Sequence, residues 1–310
     1  DGGEAHGLRS RRPFNYNRLD SCVYIMPASI TQRDVLLRKR LDQFTRMLHG
    51  LEKGEVRALH RTRVATRRLR ELLPVLQLEA GVAEKLSRRL RKATARLGSV
   101  RELDVLVLLI KELYESDRYP VDALAPIAAA VDSDLKRRRE RLMAKAPIAE
   151  LHRLARKLEH VASKVESSDR RGAARRHPGT RGWRWAADAR VVRRAGRLRD
   201  AIEEAGAVYL PERLHLVRIA VKKLRYVMEV ASDGGAAIAP ADLRALKHAQ
   251  DLLGRLHDLQ ILVDRARQVQ ASLIPPNVVM WRTLGALVDT LERDCRHLHG
   301  RYMRERDALT

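Results

Sequence analysis

The stretch LHRTRVATRRLR, residues 59–70, returns later in the chain as LHLVRIAVKKLRY, residues 214–226. Both copies share the pattern His-x-x-Arg-apolar-Ala-x-basic-basic-Leu-Arg. Neither copy contains proline or glycine, which are the residues that most disfavour a helix interior. The repeated stretch therefore predicts two similar helices, one in each half of the chain.

Each predicted helix carries one cationic row and one apolar face. At about 100° per residue, the first row falls within an arc of roughly 80°, and it consists of His60, Arg63, Arg67 and Arg70. The second copy repeats the row with His215, Arg218, Lys222 and Arg225. The apolar faces must be buried. If the cationic rows then face each other, they repel unless an anion lies between them.

A second motif repeats at nearly the same distance. Leu97-Gly98 and Leu253-Gly254 are 156 residues apart, and His60 and His215 are 155 residues apart. Arg91 and Lys247 occupy matching positions in this alignment, as do Arg101 and His257. Two motifs with one spacing indicate an internal duplication of a helical unit. We interpret each glycine as a break between two helices.

The remaining pattern predicts an all-α protein, because no alternating apolar run is bounded by hairpin signals. Residues 1–27 have no apolar period and predict a disordered lead-in. Residues 28–310 form one domain, with a first helical half at 28–120 and a second half at 121–310. We expect bends or interruptions at Pro74, Pro126 and Pro147. Residues 166–182, rich in Ser, Gly, Arg and Pro, predict a basic loop.

The composition predicts a polyanionic partner. The 310 residues include 62 Lys plus Arg against 39 Asp plus Glu, a formal net charge of +23. Such an excess suits nucleic acid, an anionic membrane or a phosphate polymer. Aromatic residues make up only 4% of the chain, which argues against platforms that stack on bases. Nucleic acid is therefore the less favoured partner.

Cysteine and hydropathy predict a cytoplasmic protein. The two cysteines, Cys22 and Cys295, are far apart and suit a reducing compartment. No apolar run approaches the ~18 residues of a membrane span. The first residues contain no apolar segment typical of a secretory signal.

The paired histidine motifs and the paired Leu-Gly motifs resemble those of the CHAD family, the "conserved histidine α-helical domain". The resemblance covers about residues 28–310. It implies two four-helix bundles related by an internal pseudo-twofold repeat, with a central basic channel that binds long-chain inorganic polyphosphate. It also implies an association with polyphosphate granules. The family more often has Asn where this chain has His257. The Glu-x-Glu-x-Lys strand of an attached triphosphate-tunnel module is not found here.

The candidate polyphosphate-binding residues are cations that follow the two rows. The first group is His60, Arg63, Arg67, Arg70, His215, Arg218, Lys222 and Arg225. The helices around the two glycines add Arg91, Arg101 and Lys247. Further candidates are Arg33, Arg40, Arg194 and Arg197. Arginine suits this role because its planar fork binds phosphate oxygens bidentately.

Two other functions stay open from the sequence. A nucleic-acid-binding protein would use the same charge, although no helix-turn-helix, zinc or RNA-binding motif is found. A metal-dependent phosphohydrolase would use His257-Asp258, with His248 and Asp264 as further ligands. We expect no catalytic residue, no resident metal and no cofactor. Divalent cations that accompany phosphate could instead meet the carboxylates of Glu102 with Asp104, or of Asp258 with Asp264.

Overall fold

The computed structural model describes residues 33–53, 55–144, 147–174, 179–274 and 277–309. This part of the chain is helical and contains no strand, which confirms the predicted all-α class. Its α-helices, numbered in chain order, are α1 Arg33–Glu52, α2 Val56–Leu72, α3 Val82–Tyr114, α4 Val121–Ala144, α5 Pro147–Ala174, α6 Gly179–Ala205, α7 Pro211–Asp233, α8 Pro240–Ala271 and α9 Val278–Glu305. The predicted lead-in, residues 1–27, lies outside the described residues.

Several helices begin where the local sequence predicts. Gly81 precedes α3 with a φ of 75°, a left-handed conformation that favours glycine. Pro211 is the first residue of α7, where its missing N–H is not needed. Asn277 caps α9, because its side chain accepts a hydrogen bond from the Met280 N–H at 2.9 Å.

The prediction that Gly98 and Gly254 break helices is wrong. Gly98 lies inside α3, which runs for 33 residues, and Gly254 lies inside α8, which runs for 32. A glycine in a helix costs only about 1 kcal/mol relative to alanine. The burial of Leu97 and Leu253 beside the two glycines offsets that cost.

The three prolines behave differently from one another. Pro126 lies inside α4 and does not interrupt it, because the neighbouring Leu124 and Ile127 are fully buried. The predicted interruption near Pro147 agrees with the helix bounds, because α4 ends at Ala144 and α5 begins at Pro147. At Pro74 the change is larger than a bend: α2 ends at Leu72, and a 3-10 turn continues from Leu73 to Val75.

The predicted loop at residues 166–182 is largely helical. Helix α5 continues to Ala174 and α6 begins at Gly179, so only residues 175–178 of the predicted loop lie outside the description. Two carboxylates hold the end of α5 against α1. Glu166 accepts a bond from Arg38 at 2.6 Å, and Asp169 accepts one from Arg33 at 2.7 Å. The sequence pattern missed these partners because they lie on a distant helix.

The helices pack mainly against their neighbours in the chain. Helix α2 contacts α1 and α3, and α3 contacts α4; in the same way α7 contacts α6 and α8, and α8 contacts α9. Helix α5 packs on α1 and α3. Further contacts join the first helices to the last ones: α2 packs on α7, α3 packs on α8, and α4 packs on both α8 and α9. The pairing of α2 with α7 brings the two repeated motifs together.

A buried carboxylate fixes α6 beside α2. Glu71 is on α2, and its Oε2 atom accepts hydrogen bonds from Nη2 of Arg190 at 2.8 Å and from Nη2 of Arg194 at 3.1 Å. All three side chains are largely withdrawn from solvent. Removing one partner of such a group leaves buried charge without compensation.

We therefore expect Glu71→Gln to lower the free energy of unfolding by about 3–5 kcal/mol, measured by urea denaturation. The matched control is Glu115→Gln, which removes an exposed pair with Lys111 at 3.9 Å. The control should change stability by less than about 0.5 kcal/mol. Equal effects in the two variants would contradict the role given to Glu71.

Candidate functional site

The cationic rows of α2 and α7 meet where these helices pack. We call this region the cationic seam and define it as His60, Arg63, Arg67 and Arg101 from one side and His215, Arg218 and Lys222 from the other. Burial, and after it the positive charge of Arg67 among other groups, lowers the pKa of Arg63 on the same helix and the pKa of Arg218 and Lys222 on α7. The structure thus places the two predicted rows within electrostatic reach of each other.

The seam strongly disfavours additional positive charge. Burial, followed by the charges of Arg218 and Arg67, lowers the pKa of Lys222 to about 7. Burial and the charge of Arg67 lower the pKa of Arg63 to about 10. Both shifts have the same two causes: lost hydration and like charges nearby.

Few carboxylates balance these cations. Asp258, on α8, faces Arg218 and Lys222, but burial raises the pKa of its carboxyl. The Nε atom of Arg218 is buried and has no hydrogen-bond partner within the described residues. An unsatisfied buried donor costs free energy that an anionic acceptor would recover.

Gly98 leaves room for the Arg63 guanidinium. A Cβ atom at Gly98 would lie 2.7 Å from Nη1 of Arg63, too close for a real contact. The same Nη1 donates to the Thr94 carbonyl oxygen at 3.0 Å. At the matching position, a Cβ on Gly254 would lie 3.9 Å from Nε of Arg218, an ordinary contact. Space for the Arg63 side chain therefore explains the glycine at position 98, whereas a Cβ at Gly254 would fit without displacing Arg218.

His60 is oriented by Arg101. The Nε–H of Arg101 donates to Nδ1 of His60 at 3.1 Å. A ring that accepts at Nδ1 carries its proton on Nε2 when neutral. Partial burial, and then the charge of Arg101, lower the pKa of His60. Neutral His60 can therefore offer an Nε2–H donor to an anion without adding charge.

His215 and His257 form the matching pair in the second half. Their Nδ1 atoms are 3.3 Å apart, so one ring donates and the other accepts. Burial, and then Arg218, lower the pKa of His257 to about 4. His257 was not among the predicted binding residues, although its alignment with Arg101 pointed to this position. Asp258 was considered only as a ligand for a metal ion, and Thr94 was missed, since nothing in its spacing marks it.

A second cluster continues from the seam. The pKa of Arg70 is lowered by burial and then by Arg91, and the pKa of Lys223 is lowered by burial and then by Arg194. Arg197 also contributes to the shift at Lys223. The predicted Arg70 therefore lies beside Arg91, and Arg194 and Arg197 lie near Lys223, which was not predicted; Glu71 neutralises part of the charge of Arg194. Arg225, at the end of its row, pairs with Glu229 at 3.2 Å.

Three predicted binding residues are engaged elsewhere, and we leave them out of the candidate site. Arg33 pairs with Asp169 and also donates to the Leu76 carbonyl oxygen at 2.7 Å. Arg40 is buried and pairs with Asp233. Lys247 pairs with Asp251, one turn away on α8. The first two form tertiary ion pairs with distant helices, which sequence spacing does not reveal.

The side chains proposed for a phosphohydrolase do not gather around His257. His248 pairs with Glu305 at 2.8 Å, and Asp264 accepts from Gln260 at 3.3 Å. Asp104, considered for a divalent cation, is buried and pairs with Arg139 at 2.7 Å. Over the described ranges, no group of three or more His, Cys, Asp or Glu side chains is placed to hold a metal ion.

The family assignment follows from comparison with known proteins. A family model described as the CHAD domain matches residues 35–267. The chain belongs to the CHAD family. The match confirms the family resemblance that the paired motifs indicated. No curated protein matches the sequence.

Two solved structures share the CHAD fold of this chain. PptA from Streptomyces chartreusis is 20% identical, with a TM-score of 0.62, and the match covers 89% of this chain and 99% of that one. The CHAD domain from the plant Ricinus communis is 18% identical, with a TM-score of 0.63, and the match covers 93% and 96%. Across the described part of the chain, none of the helices combines the length and apolarity needed to cross a membrane.

The burial of Lys222, together with the cations near it, predicts a pH-dependent stability. In the unfolded chain Lys222 titrates near 10.5, and in the folded protein near 7. Between these values the unfolded state binds more protons, so the contribution of Lys222 to stability rises with pH from about 7 to 10.5. Without added anion, Lys222→Met should therefore raise the thermal midpoint more at pH 6 than at pH 10.

Thermal unfolding followed by circular dichroism provides the measurement. Lys136→Met, on an exposed position of α4, is the matched control and should show no such difference between the two pH values. If Lys222→Met had a lower thermal midpoint than the unmodified protein at pH 6, Lys222 would stabilise the fold, and the prediction would be wrong.

Proposed function

We propose that this CHAD protein binds long-chain inorganic polyphosphate along the cationic seam without catalysing a reaction on it. One observation supports the proposal above all. Four cations lie close together, and few carboxylates neutralise them: Arg63, Arg67, Arg218 and Lys222. A bound polyanion would turn this repulsion into attraction. We also propose that the protein acts in the cytoplasm, at polyphosphate granules.

The shape of the seam supports a linear polyanion. The first cationic row, from His60 in the seam to Arg70 in the cluster that continues it, spans ten residues, about 15 Å along the helix axis. Side chains spaced along one line can meet successive phosphates, whereas a compact site would serve a single small anion. Arginine guanidinium groups and histidine N–H groups donate hydrogen bonds to phosphate oxygens, and Lys222 serves as a point charge.

The aromatic residue Tyr226, close to the seam, does not favour nucleic acid. Tyr226 is near enough to Arg63 and Arg218 to influence their pKa values, but the residue is only 5% exposed. A buried ring cannot stack on a base. The seam therefore offers recognition of phosphates without a surface that reads bases.

We further propose that α1–α4 and α6–α9 are the two repeated four-helix units, with α5 between them. Helices α2 and α7 begin at residues 56 and 211, and α4 and α9 begin at residues 121 and 278. These intervals follow the spacing of the sequence motifs. This assignment moves α4 into the first unit, whereas the sequence placed residues 121–310 together in the second. A channel would then run between the units at the α2–α7 contact.

The proposal predicts that Arg63→Glu with Arg218→Glu lowers polyphosphate affinity by at least about 100-fold, since two charge-assisted contacts are lost. Helicity should be unchanged, because the reversal relieves repulsion between half-buried cations. The measurement is calorimetric titration with a long polyphosphate at fixed salt. Lys136→Glu with Arg141→Glu changes the net charge equally on exposed positions of α4 and is the control. Unchanged affinity in the seam variant would exclude the seam.

Competition, phosphate-release and chain-length experiments distinguish polyphosphate binding from the other two functions. Polyphosphate should displace bound DNA, and DNA should not displace polyphosphate. Free phosphate should not appear on incubation with Mg²⁺ or Mn²⁺; phosphate release that is lost in His257→Ala would establish a hydrolase. Equal affinity for triphosphate and for long chains would contradict recognition of a linear polymer.

The two glycines provide a sharper comparison. Gly98→Ala should weaken polyphosphate binding by about fivefold, roughly 1 kcal/mol, because the new Cβ displaces Nη1 of Arg63. Gly254→Ala should leave binding unchanged, because its Cβ makes an ordinary contact with Arg218. Alanine favours the helix at both positions, so a loss of binding in Gly98→Ala alone cannot come from weakened helicity. Equal binding by the two variants would contradict the role of Gly98.

A further inference from the structure

A cavity of about 650 Å³ lies between α3 and α5, apart from the seam. The residues of α3 that line it include Val82, Leu86 and Arg89, whereas Arg91 faces Arg70 and Gly98 faces Arg63, both on α2. At about 100° per residue, these two sets lie roughly 150° apart around α3. The cavity is therefore a separate feature on the opposite side of that helix.

The floor of the cavity is apolar. It is formed from both helices and the segment that precedes α3, by Leu78, Val82, Leu86, Val161 and Val165. Val82 and Val161 are only partly buried, so the floor is available to a ligand. The lining runs along α5 from Arg153 to Ser168, which is about 22 Å at 1.5 Å per residue. The cavity thus has the form of a groove that suits an elongated apolar group.

The rim of the groove is cationic. Besides Arg33, six Lys and Arg side chains line it: Lys85, Arg89, Arg153, Arg156, Lys157 and Lys164. None of the six forms an ion pair with a carboxylate of the described residues, whereas Arg33 at one end pairs with Asp169. Glu79 is the one carboxylate residue in the lining. A smaller cavity of about 400 Å³ adjoins it and shares Arg89, Arg153 and Lys157.

We propose that this groove binds a soluble single-chain amphipathic anion, with an unbranched apolar chain on the floor and a phosphate or carboxylate headgroup at the rim. The volume lies within the range of about 300–1,000 Å³ that is typical of small-molecule sites. Apolar area on the floor would drive burial of the chain. Unpaired Arg and Lys side chains would supply charge-assisted hydrogen bonds to the headgroup. The inference does not rest on polyphosphate binding, because it uses neither α2 nor α7.

The first experiment compares three ligands by calorimetric titration of the whole chain, below their micelle concentrations. Decyl phosphate has both the chain and the anionic head and should bind saturably at one site. Butyl phosphate keeps the head with a short chain, and decyltrimethylammonium keeps the chain with a cationic head. Each of these two should bind at least tenfold more weakly. Equal binding of either one, or no binding of decyl phosphate, would overturn the proposal.

Variants then locate the site. Arg153→Glu with Lys157→Glu should weaken decyl phosphate binding at least tenfold. Val82→Thr with Val161→Thr, which keeps side-chain shape and adds hydroxyls to the floor, should weaken it several-fold. Lys136→Glu with Arg141→Glu is the charge-matched control and should leave it unchanged. Equal loss in the control would show only a general effect of net charge and would refute the site.

Two further arms distinguish the groove from the seam and from a membrane-binding surface. Arg63→Glu with Arg218→Glu should keep decyl phosphate binding within about threefold, which distinguishes this site from the seam whether or not polyphosphate binds there. Vesicles containing anionic phospholipid should not replace the soluble ligand. Binding to such vesicles without binding to monomeric decyl phosphate would mean that the basic rim meets a membrane surface, and it would overturn the proposal.

Discussion

The repulsion between half-buried cations where α2 packs on α7 is the constraint on which the candidate site depends. Leu69 and Leu224 lie in the same two motifs and are fully buried. Burial of these apolar faces favours folding by about 25 cal/mol for each Å² removed from water. The same packing brings Arg67 into reach of Arg218 and Lys222. The hydrophobic core therefore holds together charges that would otherwise separate.

The excess of positive charge in the seam is local and not a simple consequence of composition. Elsewhere, carboxylates meet the cations that the fold withdraws from water: Glu71 binds Arg190 and Arg194, and Asp233 binds Arg40. These pairs link helices that are distant in sequence. In the seam, Asp258 faces several cations and is itself harder to ionise because it is buried. The protein thus pairs Arg190, Arg194 and Arg40 with carboxylates from other helices, whereas Arg63 and Arg218 in the seam have no such ion pair within the described residues.

The two halves of the seam are related but not equivalent. One half pairs His60 with Arg101, a permanent cation, and the other pairs His215 with His257, which burial and Arg218 keep neutral. Gly98 is closely approached by Arg63, while Gly254 leaves a wider gap to Arg218. Charge is therefore distributed unevenly along the seam, with the more titratable groups on the side of α7 and α8.

The sequence by itself determined the all-α class, the internal repetition and the membership of the two cationic rows, because helical periodicity and a repeated spacing are properties of the chain alone. It did not determine that Gly98 and Gly254 lie within long helices, since that outcome depends on the burial of neighbouring residues. The tertiary structure alone decided which cations are free. Arg33 and Arg40 have the same chemistry as Arg63, but Asp169 and Asp233 reach them from distant helices. Ion pairs between residues far apart in sequence follow from packing, and no local pattern encodes them.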